Sequence, residues 1–281
     1  MKLLRVGPKG SEKPALLDPA GVIRDLSGHL DDIAGEALSE AGLARLRALD
    51  PATLPAVPAD TRIGPCVGRI GKICCVGLNY SDHAAETGAA VPGEPILFGK
   101  AVTAISGPND AIETPRGSDA LDYEIEIAIV IGKRAKNVAE ADALAYVAGY
   151  AVFNDVSERT FQAKRGGQWI KGKSHDSFGP LGPWLVTRDE VADVGNLAMH
   201  LDVNGERRQT GNTATMIFSI PHIVAYISQF MTLEPGDVIP TGTPPGVALG
   251  MKPPRFLQPG DVIDLAIEGL GAQRQTVLPA S

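Results

Sequence analysis

The stretch DYEIEIAIVIG, Asp122 to Gly132, constrains the fold more than any other part of the chain. Tyrosine or isoleucine occupies every second position from 123 onward, and this period of two predicts a β-strand. The opposite face carries Asp122, Glu124 and Glu126 before it turns apolar at Ala128. A strand that becomes apolar on both faces runs into a core, so the three carboxylates at its start need an explanation.

Two interpretations of this acidic face are open. The first is that the acidic side chains share a bound cation. Same-face neighbours on a strand lie only about 6.6 Å apart, and aligned like charges destabilise a sheet unless a cation neutralises them. The second is an ordinary half-exposed strand with a solvated face, of which a Glu-x-Glu pair is typical. The change to apolar residues further along the same face favours the first interpretation.

A third acid, Asp155, supports a cation site. It ends another apolar strand, YAVFND, and precedes a helical pattern, VSERTFQAK. Functional residues are often placed where an element gives way to a connection. Converging carboxylates without Cys or His at ligand spacing form an oxygen site that suits Mg²⁺, Mn²⁺ or Ca²⁺ and disfavours zinc. Three protein ligands would leave coordination positions open, as Lewis-acid catalysis requires.

The rest of the chain predicts an α+β fold. The 32 glycines and 22 prolines indicate many turns, and strand patterns outnumber helical ones. Asn204-Gly205 predicts a tight hairpin, and SIPHIVAYISQFM predicts a helix capped by Ser219. Strands and helices alternate too irregularly for a doubly wound parallel sheet, so curved, mixed sheets are expected.

Residues 1–68 differ from the remainder. Two short strand patterns, MKLLRV and GVIRDL, precede a helical segment and the proline-rich stretch PATLPAVPADTRIGPCVGR, which reads as an extended linker. We therefore predict a small N-terminal α/β domain over 1–68 and a catalytic domain over 69–281.

Composition excludes several classes of function. The net charge of −7 and the absence of a Lys/Arg run argue against nucleic acid as a partner. No apolar run approaches the length of a membrane span, and the polar start does not resemble a signal peptide. The three cysteines, Cys66, Cys74 and Cys75, fit neither a disulfide framework nor zinc-ligand spacing. A reducing, cytoplasmic setting is expected.

Upstream of the acidic strand, the segment GLNYSDHAAETG contains a candidate general base. Ser81 can cap a short helix that Gly88 ends, and this helix places His83 and Glu86 on one face. A carboxylate beside an imidazole fixes its tautomer and raises its basicity, which suits activation of water. An ordinary surface pair at this spacing is the alternative.

Two Gly- and Pro-rich segments are also candidate parts of a site. The stretch RGGQWIKGKSHDSFGPLGPW, which includes Lys173, reads as an irregular loop with more chemistry than a connector needs. The stretch PTGTPPGV would bring backbone amides and Thr hydroxyls close to a ligand.

Five ordered motifs together resemble the fumarylacetoacetate hydrolase family: GLNYSDHAAE, DYEIEIAIVIG, AGYAVFNDVSERTFQ, QWIKGKSHDSFGPLGPW and PGDVIPTGTPPGVALG. The resemblance runs from about Lys72 to the C-terminus. It is greatest to short proteins with a small N-terminal domain that act on acylpyruvates or 2,4-diketo-3-deoxy sugar acids. The family fold is a mixed β-roll, generally found as a homodimer.

The resemblance also implies roles for residues of this chain. Glu124, Glu126 and Asp155 match the ligands of Mg²⁺ or Mn²⁺. His83 and Glu86 match a catalytic dyad on a lid, and Lys173 matches the lysine of the family's catalytic set. The matches to substrate-binding positions are Arg159, Gln162, Gly242 and Thr243.

These roles predict hydrolysis of a carbon–carbon bond in a 2,4-diketo acid, giving pyruvate and a second carboxylic acid. The same site would also suit oxaloacetate decarboxylation, isomerisation of a hydroxyheptadienedioate, or ureidoglycolate lyase chemistry. A non-catalytic, metal-dependent binder of keto acids is the third possibility.

Overall fold

The computed structural model describes residues 1–88 and 90–280, and there the chain is an α+β fold with sheets of ten, five and two strands. The strands are β1 Lys2–Val6, β2 Lys13–Leu17, β3 Ile23–Asp25, β4 Ile73–Gly77, β5 Ile96–Lys100, β6 Ile105–Ser106, β7 Ile112–Glu113, β8 Leu121–Asp122, β9 Ile125–Ile131, β10 Val147–Asn154, β11 Ser157–Glu158, β12 Gly179–Thr187, β13 Ala198–Val203, β14 Glu206–Asn212, β15 Val238–Pro240, β16 Val262–Ile267 and β17 Gly271–Leu278. The α-helices are α1 Glu40–Arg47, α2 Ser81–Thr87, α3 Arg159–Ala163, α4 Ile170–Lys173 and α5 Ile220–Phe230.

The largest sheet carries the acidic strand at its centre. Its order is β3-β2-β1-β12-β10-β9-β15-β4-β5, and β6 also pairs with β12. Strand β1 pairs antiparallel with β12, so the first strands of the chain continue this sheet. The proposed division at 68/69 stays a prediction.

Burial of both faces of β9 explains its continuous apolar sequence. Its isoleucines pack into a core that includes Leu201 and Leu265 of the five-stranded sheet and Ile223 of α5. Ala128 and Val130 pack on the other side, in a core shared with Leu43 of α1. A strand covered on both faces has no solvated side, and this excludes the half-exposed interpretation of Glu124 and Glu126, which are both buried.

Several local predictions are confirmed. Strands β13 and β14 form a hairpin whose turn residues, Asn204 and Gly205, have φ of 53° and 76°. The Oγ of Ser219 accepts a hydrogen bond from the amide of His222 at the start of α5. Gly88 ends α2 in the left-handed conformation. None of the described helices is both long and apolar enough to span a bilayer.

Three local predictions are wrong. The strand predicted over 122–132 is interrupted at Tyr123 and Glu124, where the chain passes from the two-stranded sheet to the large one. The segment predicted as an irregular loop up to Trp184 contains α4 and the first six of the nine residues of β12, since Gly and Pro are tolerated where the register shifts between β10 and β12. Ser81 is the first residue of α2 rather than its cap, and its hydroxyl donates to the carbonyl of Thr215.

Candidate active site

Strand pairing brings the three predicted metal ligands together. Glu126 on β9 pairs with Phe153 on β10, two residues before Asp155, and the amide of Asp155 donates to the carbonyl of Glu124 at 2.8 Å. Carboxylate oxygens from Glu124, Glu126 and Asp155 lie within 4.8 Å of one another, and all three residues are buried. The pairing of β9 with β10 thus brings the three carboxylates to one position.

Three buried cations surround this cluster. Lys173 Nζ, in the last turn of α4, lies 2.5 Å from Glu124 Oε2 and 2.7 Å from Asp155 Oδ2. Arg159 Nη2 donates to Glu124 Oε1 at 2.6 Å. Lys100 Nζ, at the end of β5, donates to Asp155 Oδ1 at 2.5 Å and to the carbonyl of Val156.

The pKa values of Glu124 and Glu126 are shifted in opposite directions. Burial raises the pKa of Glu126 well above its usual range, and the carboxylates of Asp155 and Glu124 raise it further. Burial also acts to raise the pKa of Glu124, but the charges of Arg159 and Lys173 outweigh it and hold that pKa well below its usual value. Glu126 is therefore the carboxylate whose charge lacks a matching cation.

This arrangement fits a divalent metal ion. The donors are hard carboxylate oxygens, as Mg²⁺ and Mn²⁺ prefer. Asp122 accompanies the cluster, so four buried carboxylates stand against the three cations Arg159, Lys173 and Lys100. Of these four carboxylates, Glu126 is the one without an ion pair to a described Lys or Arg, so a bound cation would supply the partner that it lacks.

The predicted dyad also forms. His83 Nδ1 lies 3.1 Å from Glu86 Oε2, one turn along α2. Both oxygens of Glu86 accept from the amide of Gly246, at 3.0 and 3.2 Å, so the carboxylate is held from the loop after β15 as well as by its own helix. The side chain of His83 is 11 % exposed.

One cavity of about 110 Å³ joins the dyad to the acidic cluster. His83 lies at its wall together with Glu124 and Glu126. Its remaining lining residues are Val76, Gly77, Leu78, Phe98, Arg159, Gln162, Trp169, Lys173, Gly242 and Thr243. A larger cavity of about 550 Å³ lies beside the N-terminal strands, but its walls contain none of the acidic cluster.

Comparisons with known proteins identify the family. The family model described as fumarylacetoacetate (FAA) hydrolase, C-terminal, matches residues 72–278. This chain belongs to the fumarylacetoacetate hydrolase family. A Burkholderia cenocepacia (strain HI2424) protein, whose name gives hydrolase as a provisional activity, is 61% identical over 98% of both chains.

Solved structures of the fumarylacetoacetate hydrolase family share the fold. A fumarylacetoacetate hydrolase from Exiguobacterium antarcticum aligns with a TM-score of 0.86 and 37% identity over 99% of both chains. A maleylpyruvate hydrolase from Sphingobium sp. SYK-6, in complex with manganese(II) and pyruvate, gives 0.82 and 29% over all of both chains. A 2-hydroxyhepta-2,4-diene-1,7-dioate isomerase from Mycobacterium marinum gives 0.76 and 34%, covering 99% of this chain and 98% of the other. The predicted family and mixed α+β fold are confirmed.

Within this fumarylacetoacetate hydrolase fold, the structure gathers nearly all the residues singled out from the sequence. Gly242 lies beside the cluster, where its amide donates to Glu126 Oε2 at 2.8 Å. The hydroxyl of Thr243 donates to the carbonyl of Ile125, so it fixes the start of β9 while lining the cavity. Gln162 Oε1 accepts from Arg159 Nη1 at 3.1 Å. Glu86 is absent from the described lining but holds His83, which is part of it.

Sequence reasoning missed Lys100 and the role of Asp122. A signal for Lys100 exists, since ILFGK ends an apolar strand with a charge that must be paired if it is buried. Asp122 belongs to the acidic face, but its hydrogen-bond donors are Arg159 and the amide of Ala248 in the loop after β15, which are far along the chain.

Proposed function

We propose that this protein is a metal-dependent hydrolase that cleaves the C3–C4 bond of a 2,4-diketo acid, an acylpyruvate or a 2,4-diketo-3-deoxy sugar acid. One observation carries the proposal: His83, oriented by Glu86, lines the same cavity as Glu124 and Glu126. A general base for water thus faces the place where a divalent cation would be held. The hydrolase name of the Burkholderia relative and the pyruvate bound to the maleylpyruvate hydrolase support it.

The residues of the chain have distinct parts in the reaction. A Mg²⁺ or Mn²⁺ ion held by Glu124, Glu126 and Asp155 would supply a Lewis acid for the keto-acid end of the substrate. Arg159, Gln162 and the backbone at Gly242 and Thr243 would bind the substrate. Lys173 would hold the metal-binding carboxylates in place and add positive charge where negative charge develops.

The bond changes then follow. Glu86 holds the Nδ1 side of His83, and Nε2 takes a proton from water. The water oxygen adds to the C4 carbonyl, and the C3–C4 bond breaks with its electron pair remaining on C3. A proton returns to C3 and completes pyruvate, while the acyl half leaves as a carboxylate. The sum is one diketo acid and one water to pyruvate, a second carboxylate and one proton.

Two substitutions test the proposal. His83→Ala and Glu126→Gln should each abolish turnover of acetylpyruvate in the presence of Mn²⁺, and wild type should place ¹⁸O from labelled water in the released acid. His200→Ala, a histidine of β13 outside the cavity, is the matched control and should keep full activity. Full turnover by either site variant, or release of unlabelled acid, would contradict the assignment.

Isomerisation of a hydroxyheptadienedioate is the second candidate. The 34% identical Mycobacterium marinum neighbour is named as such an isomerase, and its chain aligns nearly end to end with this one. Incubation with the dienedioate and, separately, with acetylpyruvate distinguishes the two reactions. An isomerase converts the dienedioate into a product of the same mass, whereas a diketo-acid hydrolase leaves it unconverted, because its C4 carries no carbonyl for water to attack, and splits acetylpyruvate.

Three further predictions accompany the function. A homodimer is proposed from the family resemblance, and light scattering of the purified protein would test it. A cytoplasmic location is proposed from the cysteines, which are buried and unpaired. The choice between Mg²⁺ and Mn²⁺ calls for a titration of metal-free protein with each ion, since their ligand preferences overlap.

A further inference from the structure

Asp122 is a buried carboxylate with no place in the proposed chemistry. It is fully buried, is not among the three residues that share a metal position, and does not line the cavity. Its oxygens nevertheless accept four hydrogen bonds. Oδ1 accepts from the amides of Tyr123 and Ala248, at 2.9 and 2.8 Å, and Oδ2 accepts from the amide of Leu249 at 3.1 Å and from Arg159 Nε at 2.8 Å.

One of these bonds leads to the metal-binding carboxylates. With Nε held by Asp122, the guanidinium of Arg159 directs Nη2 to Glu124 Oε1 at 2.6 Å and Nη1 to Gln162 Oε1 at 3.1 Å. All three of its nitrogens have partners, so the plane of the group is fixed. Asp122 thereby determines where Arg159 holds Glu124.

Two other bonds lead to the dyad. Ala248 and Leu249 belong to a short turn that begins two residues after Gly246, whose amide binds both oxygens of Glu86. The backbone of Gly246 packs closely against that of Arg208, because a Cβ at position 246 would lie 1.9 Å from the carbonyl oxygen of Arg208. The φ of Gly246 is +103°, which also favours glycine. The loop 246–250 is therefore anchored by Asp122 on one side and presents an amide to Glu86 on the other.

We propose that Asp122 is a positioning residue that holds the His83–Glu86 dyad and the metal-binding carboxylates in one mutual geometry. It does so through Arg159 toward Glu124 and through the loop 246–250 toward Glu86. The dyad lies on a short helix and the carboxylate cluster lies on the large sheet, and Asp122 is a buried anion with hydrogen-bonded paths toward both. The kinetic consequence rests on the proposed function, whereas the structural coupling does not.

The test compares Asp122→Asn with two variants that each cut one branch. Glu86→Gln weakens the contacts of this side chain with Gly246 and His83 and leaves the Arg159 branch intact, so amide exchange over 81–88 should rise without a change in Mn²⁺ affinity. Arg159→Lys keeps the charge but loses the fixed fork, so Mn²⁺ affinity should fall while exchange over 81–88 stays as in wild type. Asp122→Asn should do both, with exchange at least about 10-fold faster and Mn²⁺ binding about 10-fold weaker.

Hydrogen exchange by mass spectrometry on metal-free protein and calorimetric titration with Mn²⁺ provide these readouts without turnover. With acetylpyruvate, Asp122→Asn should lower kcat by at least about 10-fold and change KM less. If Asp122→Asn does not fold, Asp122→Glu keeps the charge and displaces it by one methylene, and the same double effect is expected. An effect on only one branch, or on neither, overturns the proposal. If the double effect appears but wild type hydrolyses no diketo acid, the coupling stands and the proposed function fails.

Discussion

Replacing Glu126 and Glu124 by Gln should change the stability of the metal-free protein in opposite directions. Glu126 is a buried carboxyl group whose pKa is raised by burial and by the neighbouring carboxylates of Asp155 and Glu124. Glu124 is a buried anion held by Arg159 and Lys173. Both are placed among the proposed metal ligands, yet only the first is destabilising without a cation.

The magnitudes follow from the geometry. Two unit charges within 4.8 Å of each other repel by about 3.5 kcal/mol or more at an effective dielectric constant of about 20. The net cost is smaller than this, because Glu126 can take up a proton instead of keeping its charge. Glu126→Gln, whose amide oxygen can still accept from Gly242, should therefore stabilise the metal-free protein by about 2 to 3 kcal/mol. Glu124→Gln leaves two buried cations short of a partner and should cost about 3 to 5 kcal/mol.

The pH dependence has the corresponding signs. Because the folded pKa of Glu126 lies above its unfolded value of 4.5, its contribution to stability is complete below that value and is lost as the pH rises. Because the folded pKa of Glu124 is depressed, its contribution is present above 4.5 and is lost as the pH falls. Between about pH 5 and 7, metal-free wild type should lose stability relative to Glu126→Gln.

Thermal melts in EDTA and in Mn²⁺ measure these differences. At about 2 °C per kcal/mol, Glu126→Gln should melt about 4 to 6 °C above wild type in EDTA, and Glu124→Gln about 6 to 10 °C below it. Mn²⁺ at about 100 times its Kd should stabilise wild type by about 2.7 kcal/mol and neither variant. The exposed Glu113→Gln serves as control and should behave as wild type. A lower melting temperature for Glu126→Gln in EDTA, or a retained gain with Mn²⁺, would refute the charge assignment.

Three other substitutions have defined outcomes. Lys100→Met should weaken Mn²⁺ binding about 10-fold, because Asp155 loses a buried partner that orients it; calorimetric titration measures this, and unchanged affinity would count against the role. Gly242→Ala should cost at least about 1 to 3 kcal/mol in chemical denaturation, because its φ is +97° and a Cβ would lie 2.9 Å from that of Asn79; a melt equal to wild type would show that the turn can relax. Ser219→Ala should cost about 1 kcal/mol from the lost cap of α5 and leave kcat unchanged, since Ser219 lies outside the cavity; a loss of activity would reveal coupling between α5 and the site.

Features that depend only on neighbours along the chain could be predicted from the sequence. The Asn204-Gly205 turn, the capped helix α5 and the glycine that ends α2 are all set by backbone preferences of a few residues. The period of two over β9 likewise identified which side chains share a face. A dyad three residues apart on one helix could be predicted for the same reason, because helix geometry alone brings its members together.

The partners that each face meets became known from the three-dimensional packing. Lys100 meets Asp155 across 55 positions and Asp122 meets Ala248 across 126, and no periodic pattern encodes such pairs. The strand β12 was not predicted for a related reason, since its glycines and prolines lower its strand propensity and are tolerated because β12 pairs with β1 and with β10, where the register shifts. Local preferences act over a few residues, whereas burial and charge pairing depend on which segments the fold packs together, and so the acids were visible in the sequence while their partners were not.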